Sequence, residues 1–465
     1  MFRKRWLTLG AWALLAGGAS QADAQAPPPG KLPAGTTPPA AGAPAPSPVF
    51  LQEPPAPDTP ATPGTPDGGG APETRQQQFG TEEGTPPAEG GYGPTPLPDV
   101  KILQNLIFGK QEKPCLTIAG WADFDYTYRS TGSGLNMVAP VMNRFGDEFL
   151  ARQLGVWLSK PLDPKEWSWG FNAIFIAGND AAFLTPTAGG WANTNPRFGT
   201  SFTDLNLTAH LPILTEGGVD VKAGRQTTIL GPMGALPWQR YFDSSDYAWF
   251  NMEEGRYTGV STVWHVTKRL DWYNGVEIGG WGVFFDNPVH GVDYITNVSY
   301  WLDEEAKKTK VWFTVLTGPT GHFDRNGNTT VVEVGMQHNW SKMIYQIIDS
   351  QMVYSKAPVF FLPPPGYQQR AYDVYTYLGA HITKVLDINT RFEWYKDVDG
   401  GGYPGGFGVP HTDYFAVTAG PDYHPTKWVQ FRPEIRYDYA THDNFGQNHD
   451  KKNQLSLAAE VLLKF

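Results

Sequence analysis

The sequence predicts an all-β protein, a single transmembrane antiparallel up-and-down β-barrel of about sixteen strands preceded by a disordered Pro/Ala/Gly-rich segment. Three observations carry this: period-two alternation, links that alternate between short and long, and aromatic residues gathered at strand ends. The alternation is plainest in the last stretch, Asn453 to Phe465. Leu455, Leu457, Ala459, Val461, Leu463 and Phe465 share one face, and Gln454, Ser456, Ala458, Glu460, Leu462 and Lys464 the other. Ordinary strands run about five or six residues. A tilted strand of about ten residues is what crosses a bilayer in a barrel.

The remaining strands follow in order near 116–129, 149–160, 168–178, 202–213, 219–228, 258–268, 272–284 and 294–302. The second half runs near 308–317, 329–340, 343–355, 371–384, 387–396, 413–424, 428–439 and 453–465. In the first, Ile118, Ala122, Phe124, Tyr126 and Tyr128 oppose Thr117, Asp123, Asp125 and Arg129. In the fourth, Leu205, Leu207, Ala209 and Leu211 oppose Asp204, Asn206, Thr208 and His210. In the fifteenth, Val429, Phe431, Ile435, Tyr437 and Tyr439 oppose Gln430, Arg432, Glu434, Arg436 and Asp438. The run 343–355 is ambiguous and is counted for where it falls.

Short links such as LTEGG, RLD and SK alternate with long ones, of which 229–257 is the longest. That asymmetry is the outer-membrane barrel arrangement, and an even strand count puts both chain ends on the short-turn, periplasmic side. Trp167, Trp169, Trp272, Trp340, Tyr345, Trp428 and Phe465 fall at short-turn ends. Tyr126, Tyr128, Phe202, Tyr257, Tyr294, Tyr354, Tyr372, Trp394, Tyr414, Tyr437 and Tyr439 fall toward the long loops. Two aromatic girdles around a lipid band are the expectation.

Bulk composition agrees with this. Of 465 residues, 14% are aromatic and only 18% charged. The mean hydropathy of -0.37 excludes a helical membrane protein, whereas barrels turn only alternate residues to lipid. A net charge of -10 argues against nucleic-acid binding. The single cysteine, Cys115, excludes an internal disulfide framework and is expected to be a small buried hydrophobe.

Residues 1–24 read as a secretory signal peptide: Arg3, Lys4 and Arg5, an apolar run from Trp6 to Ala16, then Ala22-Asp23-Ala24. Residues 25–98 hold about half of the 41 prolines and few large apolar residues. They are expected to be a disordered spacer with possible contact to the cell wall. Residues 99–115 form a lead-in to the barrel, which spans 116–465. A short helix in it, with Ile102, Leu103, Leu106 and Ile107 on one face, is expected under the barrel mouth or inside it.

The opener GWADFDYTYRS (Gly120 to Ser130), the strand exit VKAGRQTT (Val221 to Thr228) and the terminal LAAEVLLKF together resemble the beta-barrel porin family of the OmpL-like type, the second of that name. The resemblance covers about 115–465 and implies an outer-membrane channel for small hydrophilic solutes or ions, in contact with outer-membrane lipid. It also implies Phe465 as the signal read by the barrel assembly machinery, and a homo-oligomer by analogy. It carries over no catalytic residue, and no cofactor or metal is expected.

About sixteen strands leave an aqueous lumen, whose selectivity is set by charge at its narrowest point. Loop 229–257 resembles, in position and length, the third outer loop that folds inward in general porins. From it, Arg240, Asp243, Asp246, Glu253, Glu254 and Arg256 are expected to line the constriction. The facing wall offers Asp123, Asp125, Arg129, Arg391, Glu393, Arg432, Glu434, Arg436 and Asp438, either as a transverse field or as mutually paired charges. Arg225 is left open between the lumen and the loop base. Outer-loop pairs such as His442 with Asp443, His449 with Asp450, and His411 with Asp413 are weak catalytic candidates. The stretch Gly321 to Asn328 lacks the glycine and glutamate of a calcium loop. Two other readings are a non-conducting barrel serving as anchor or adhesin, plugged by the helix near 101–110, and a secreted soluble β-rich protein.

Overall fold

A strand that buries one face and wets the other must pair on both edges, and in a membrane only ring closure achieves this. The computed structural model of the chain closes in that way. It describes residues 101–465 apart from 111–114, 133, 136–142, 144, 185–196, 254, 279–290, 304–306, 320–327, 356–368, 401–408 and 447. The expected signal peptide and spacer, and the stretch 321–327, lie outside the described residues.

After helix α1 (Ile102–Phe108), the strands run β1 (Thr117–Arg129), β2 (Gly134–Leu135), β3 (Phe145–Gly146), β4 (Glu148–Lys160), β5 (Ser168–Gly178) and β6 (Gly199–Leu211). There follow β7 (Val219–Thr227), β8 (Arg256–Thr267), β9 (Leu270–Ile278), β10 (Val292–Trp301), β11 (Thr309–Gly318) and β12 (Thr329–Asn339). The last are β13 (Ile344–Ser355), β14 (Gln369–Thr383), β15 (Leu386–Asp397), β16 (Thr412–Thr426), β17 (Val429–Ala440) and β18 (Asn453–Lys464). β2 and β3 pair only with each other, in the link between β1 and β4. The other sixteen form one antiparallel ring in chain order, closed by β18 on β1. Every strand expected from the sequence is present, and most bounds agree within a residue or three.

Closure reaches the last residue. Phe465 accepts from the Gly120 amide at 2.7 Å and donates back at 2.9 Å. In β18 the odd positions face outward and the even ones are buried inside, as the alternation requires. Val461 lies outward, between Phe124 of β1 and Phe431 of β17. Val461→Arg is therefore expected to lower stability by about 2–4 kcal/mol. Denaturant titration in lipid vesicles checks this, and a loss below about 0.5 kcal/mol would mean the outer surface does not meet hydrocarbon.

Two aromatic belts are seen, with corrections. Trp167, Trp169, Trp272, Trp340 and Trp428 are exposed at the short-turn end, and Tyr126, Tyr128, Tyr294, Tyr354, Tyr372, Tyr437 and Tyr439 toward the other. Tyr257, Tyr345 and Tyr414 instead point inward and are buried. Alternation allows an aromatic on either face, and these three fall on the luminal one, where Tyr241 packs on Tyr345, Tyr247 packs on Tyr414, and the Tyr257 hydroxyl meets that of Tyr273.

One further expectation fails. Cys115 is exposed rather than buried. The expected helix forms, with Ile102, Leu106, Ile107 and Phe108 exposed. It is tied to the start of β1 by Gln104, which donates to Leu116 O at 2.9 Å and accepts from Ile118 N at 2.7 Å.

Candidate pore constriction

The link between β7 and β8 turns into the barrel. Its apolar residues leave water by packing against the wall, at about 25 cal/mol per Å² of buried surface. Met233, Leu236, Trp238 and Trp249 join Trp121, Ile174, Ile176 and Leu462 in one cluster. Trp238 meets Trp121 edge to face, with ring centroids 4.8 Å apart. Local structure is tight: a 3₁₀ turn at Pro237–Gln239 begins with proline, and α2 (Tyr247–Asn251) is capped by Asp246, which accepts from Trp249 N at 2.8 Å. Among described residues 228–253, all those with described side chains are buried except Gly234.

The middle of the loop is held by arginines. Arg152 of β4 lies 2.7 Å from Asp180 and 3.5 Å from Asp125, and also pairs with Asp243. Arg240 of the loop reaches Asp123 at 3.1 Å, Asp180 at 3.6 Å and Glu460 at 3.9 Å. Arg432 pairs with Glu460 at 2.5 Å and donates to the Arg240 carbonyl. Arg391 donates to Glu393 at 2.7 Å and to the carbonyls of Ser244 and Ser245 at 2.9 and 3.0 Å. Arg436 donates to Glu393, to Asp438 and, at 2.9 Å, to the same Ser245 carbonyl. In return, Ser244 N donates to Glu434 at 3.1 Å and Tyr247 N to Glu393 at 3.0 Å. Tyr247 OH donates to Asp438 at 2.7 Å, and Tyr377 OH to Asp246 at 2.9 Å.

All nine wall residues named from the sequence face inward and are buried, Arg129 at the outer end of β1. Of the loop residues, Arg240, Asp243, Asp246 and Glu253 sit in the lumen. Arg256 belongs to β8 instead, at the loop exit, with its Nε 3.3 Å from Asp204. Glu254 lies outside the described residues. These charges pair with one another and with loop carbonyls, which is the mutual pairing expected beside a transverse field. Arg225 points inward at the loop base, donating to Phe202 O at 3.0 Å and Leu184 O at 2.8 Å.

Sequence reasoning missed Arg152, Asp180, Glu460, Tyr247 and Tyr377, and also the acidic group Glu333, Asp349 and Asp373. The acidic residues were findable, since each holds an inward register position on β12, β13 or β14. The outer-loop histidines bind locally, His442 Nδ1 at 3.2 Å from Thr412 Oγ1 and His449 Nδ1 at 3.2 Å from Asn444 O. Among the described residues no group of His, Cys, Asp or Glu is set to hold a metal ion.

Solved structures share this architecture. The anion-selective porin from Comamonas acidovorans aligns with a TM-score of 0.50 at 10% identity, covering 75% of this chain and 99% of that one. OprB of Pseudomonas putida aligns with a TM-score of 0.50 at 10% identity over 75% and 94% of the two chains. A loop-deleted OmpT, an outer membrane protein of Vibrio cholerae, has a TM-score of 0.50 at 8% identity over 75% and 99%. At such identities the likeness establishes the fold alone. No curated protein is close enough in sequence to count as a match. The family model described as "Putative beta-barrel porin-2, OmpL-like" matches residues 115–465, which is most of the sequence, and the chain belongs to that family of outer-membrane porins.

Proposed function

We propose that this porin passes small hydrophilic solutes or ions by diffusion through its lumen, and that residues 229–253 form the narrowest point. One observation supports this above the rest: the loop is bonded to inward side chains around the ring, from Asp123 on β1 through Glu333 on β12 to Glu434 on β17. Obstruction set by a single segment is obstruction that one segment can relieve. The termini lie on the periplasmic side in this reading, and the assembly machinery reads Phe465. Copies associate side by side, and the barrel performs no catalysis.

The filled lumen also suits a barrel that stays shut and serves as an anchor. Planar-bilayer recording separates the two, since discrete conductance steps belong only to the channel. Arg432→Gln with Arg436→Gln removes two positive charges from one wall, and in a salt gradient the reversal potential is expected to move toward cation preference. An unmoved reversal potential would detach these arginines from selectivity.

A further inference from the structure

The two ends of the loop are fastened by different chemistry from its middle. Gly231 N, at the entry, donates to Glu333 Oε1 of β12 at 3.2 Å. Glu253, at the exit, accepts from Gln351 Nε2 of β13 at 2.6 Å, and the same amide reaches Asp349 Oδ1 at 3.2 Å. Glu333 and Asp349 are diagonal neighbours on the inner face of the β12–β13 pair, and Glu333 Oε2 and Asp349 Oδ2 are buried without a hydrogen-bond donor. These are two acceptors with no donor between them unless one carries a proton. Asp246 of the loop and Asp373 of β14 add further negative charge around Glu253.

Among the described residues nothing positive answers it. The ion pairs of the described lumen residues include none from an arginine, lysine or histidine to Glu253, Glu333 or Asp349. Arg391 and Glu393 of β15 act on Asp373 with opposite signs. Glu253 Oε2, the Gln351 amide oxygen and the Tyr375 hydroxyl are buried without a hydrogen-bond partner. The remaining neighbours of Glu333 are neutral: Trp312 Nε1, which donates at 2.7 Å, and Thr314. Adjacent buried carboxyls cannot all ionise. No group of acids here is arranged around a metal position, and the smallest cation that balances the charge is a proton.

We propose that Glu253, Glu333 and Asp349 form a proton latch that keeps both loop stems on the β12–β13 wall and the lumen shut, and that their deprotonation releases the stems and opens the channel. This rests on the channel reading. Burial first, then Asp246 and Glu333, push the Glu253 carboxyl well above the ordinary carboxylate range, as such a latch requires. The sign follows from proton counting. The shut form binds more protons than an open form whose carboxyls meet water. Acid therefore favours closure, and opening develops as pH rises through the higher values of the shut form.

The test records full-length protein in planar bilayers from about pH 5 to about pH 9, with folding checked by heat-modifiable gel mobility. Open probability is expected to rise about tenfold or more across that range. Glu333→Gln with Asp349→Asn keeps the shapes and removes the titration, so this pair is expected to stay shut throughout. Glu253→Gln alone, which preserves an acceptor for Gln351, is expected to flatten the response if the double variant fails to fold. A channel equally open at both ends of the range overturns the latch. So does a pH response that persists in the folded variants. Silence at every pH removes the channel reading itself and the latch with it.

Discussion

Excising residues 232–251 and joining the stems with a short glycine-serine link is expected to raise single-channel conductance several-fold. The excised segment carries Trp238, Tyr241, Phe242, Tyr247 and Trp249, all buried inside the ring. Pore resistance concentrates at the narrowest section, so clearing that section matters more than widening any other. The barrel itself should survive, because its ladder runs unbroken from β1 round to β18 without a contribution from the loop. Cells expressing the shortened chain should also admit larger hydrophilic solutes, which a liposome-swelling assay measures. Conductance equal to that of the parent would show that the loop is not what limits flow.

The second large effect is expected at Arg152. Its guanidinium lies among Asp125, Asp180 and Asp243 with no exposure to solvent. Arg152→Met leaves those carboxylates buried without their partner, a loss of about 3–5 kcal/mol. Denaturant titration in detergent or vesicles reads this directly. Adding Asp243→Asn to the same chain should recover part of the loss, because one uncompensated charge disappears. A single-variant loss below about 1 kcal/mol would mean that water reaches this cluster and screens it.

Much of the ring was legible because period two is a strong signal wherever one face is lipid. Phe124, Tyr126 and Tyr128 against Asp123 and Asp125 decide the facing of β1 without any tertiary information. Arg152 escaped for a physical reason. A bulge between β1 and β4 pairs Asp123 with Gln153 but Phe124 with Ala151, so Arg152 and Gln153 both turn inward and the alternation breaks there. The same skip between β5 and β6 sends both Thr203 and Asp204 inside. Tyr345 and Tyr414 were misassigned because a lumen was taken to be wet, whereas the infolded loop makes it an apolar place in parts. The helix face Ile102, Leu106 and Ile107 has a real amphipathic pattern, yet no described neighbour covers it.

The seam between the first strand and the last gives manufacture an order. Gly120 waits, with its amide and carbonyl unsatisfied, until Phe465 arrives beside it on the strand that closes the ring. A ring lacking β18 would leave β1 and β17 as open edges facing hydrocarbon. The seam therefore forms only once every intervening strand is in place, and its two hydrogen bonds report on the whole circuit.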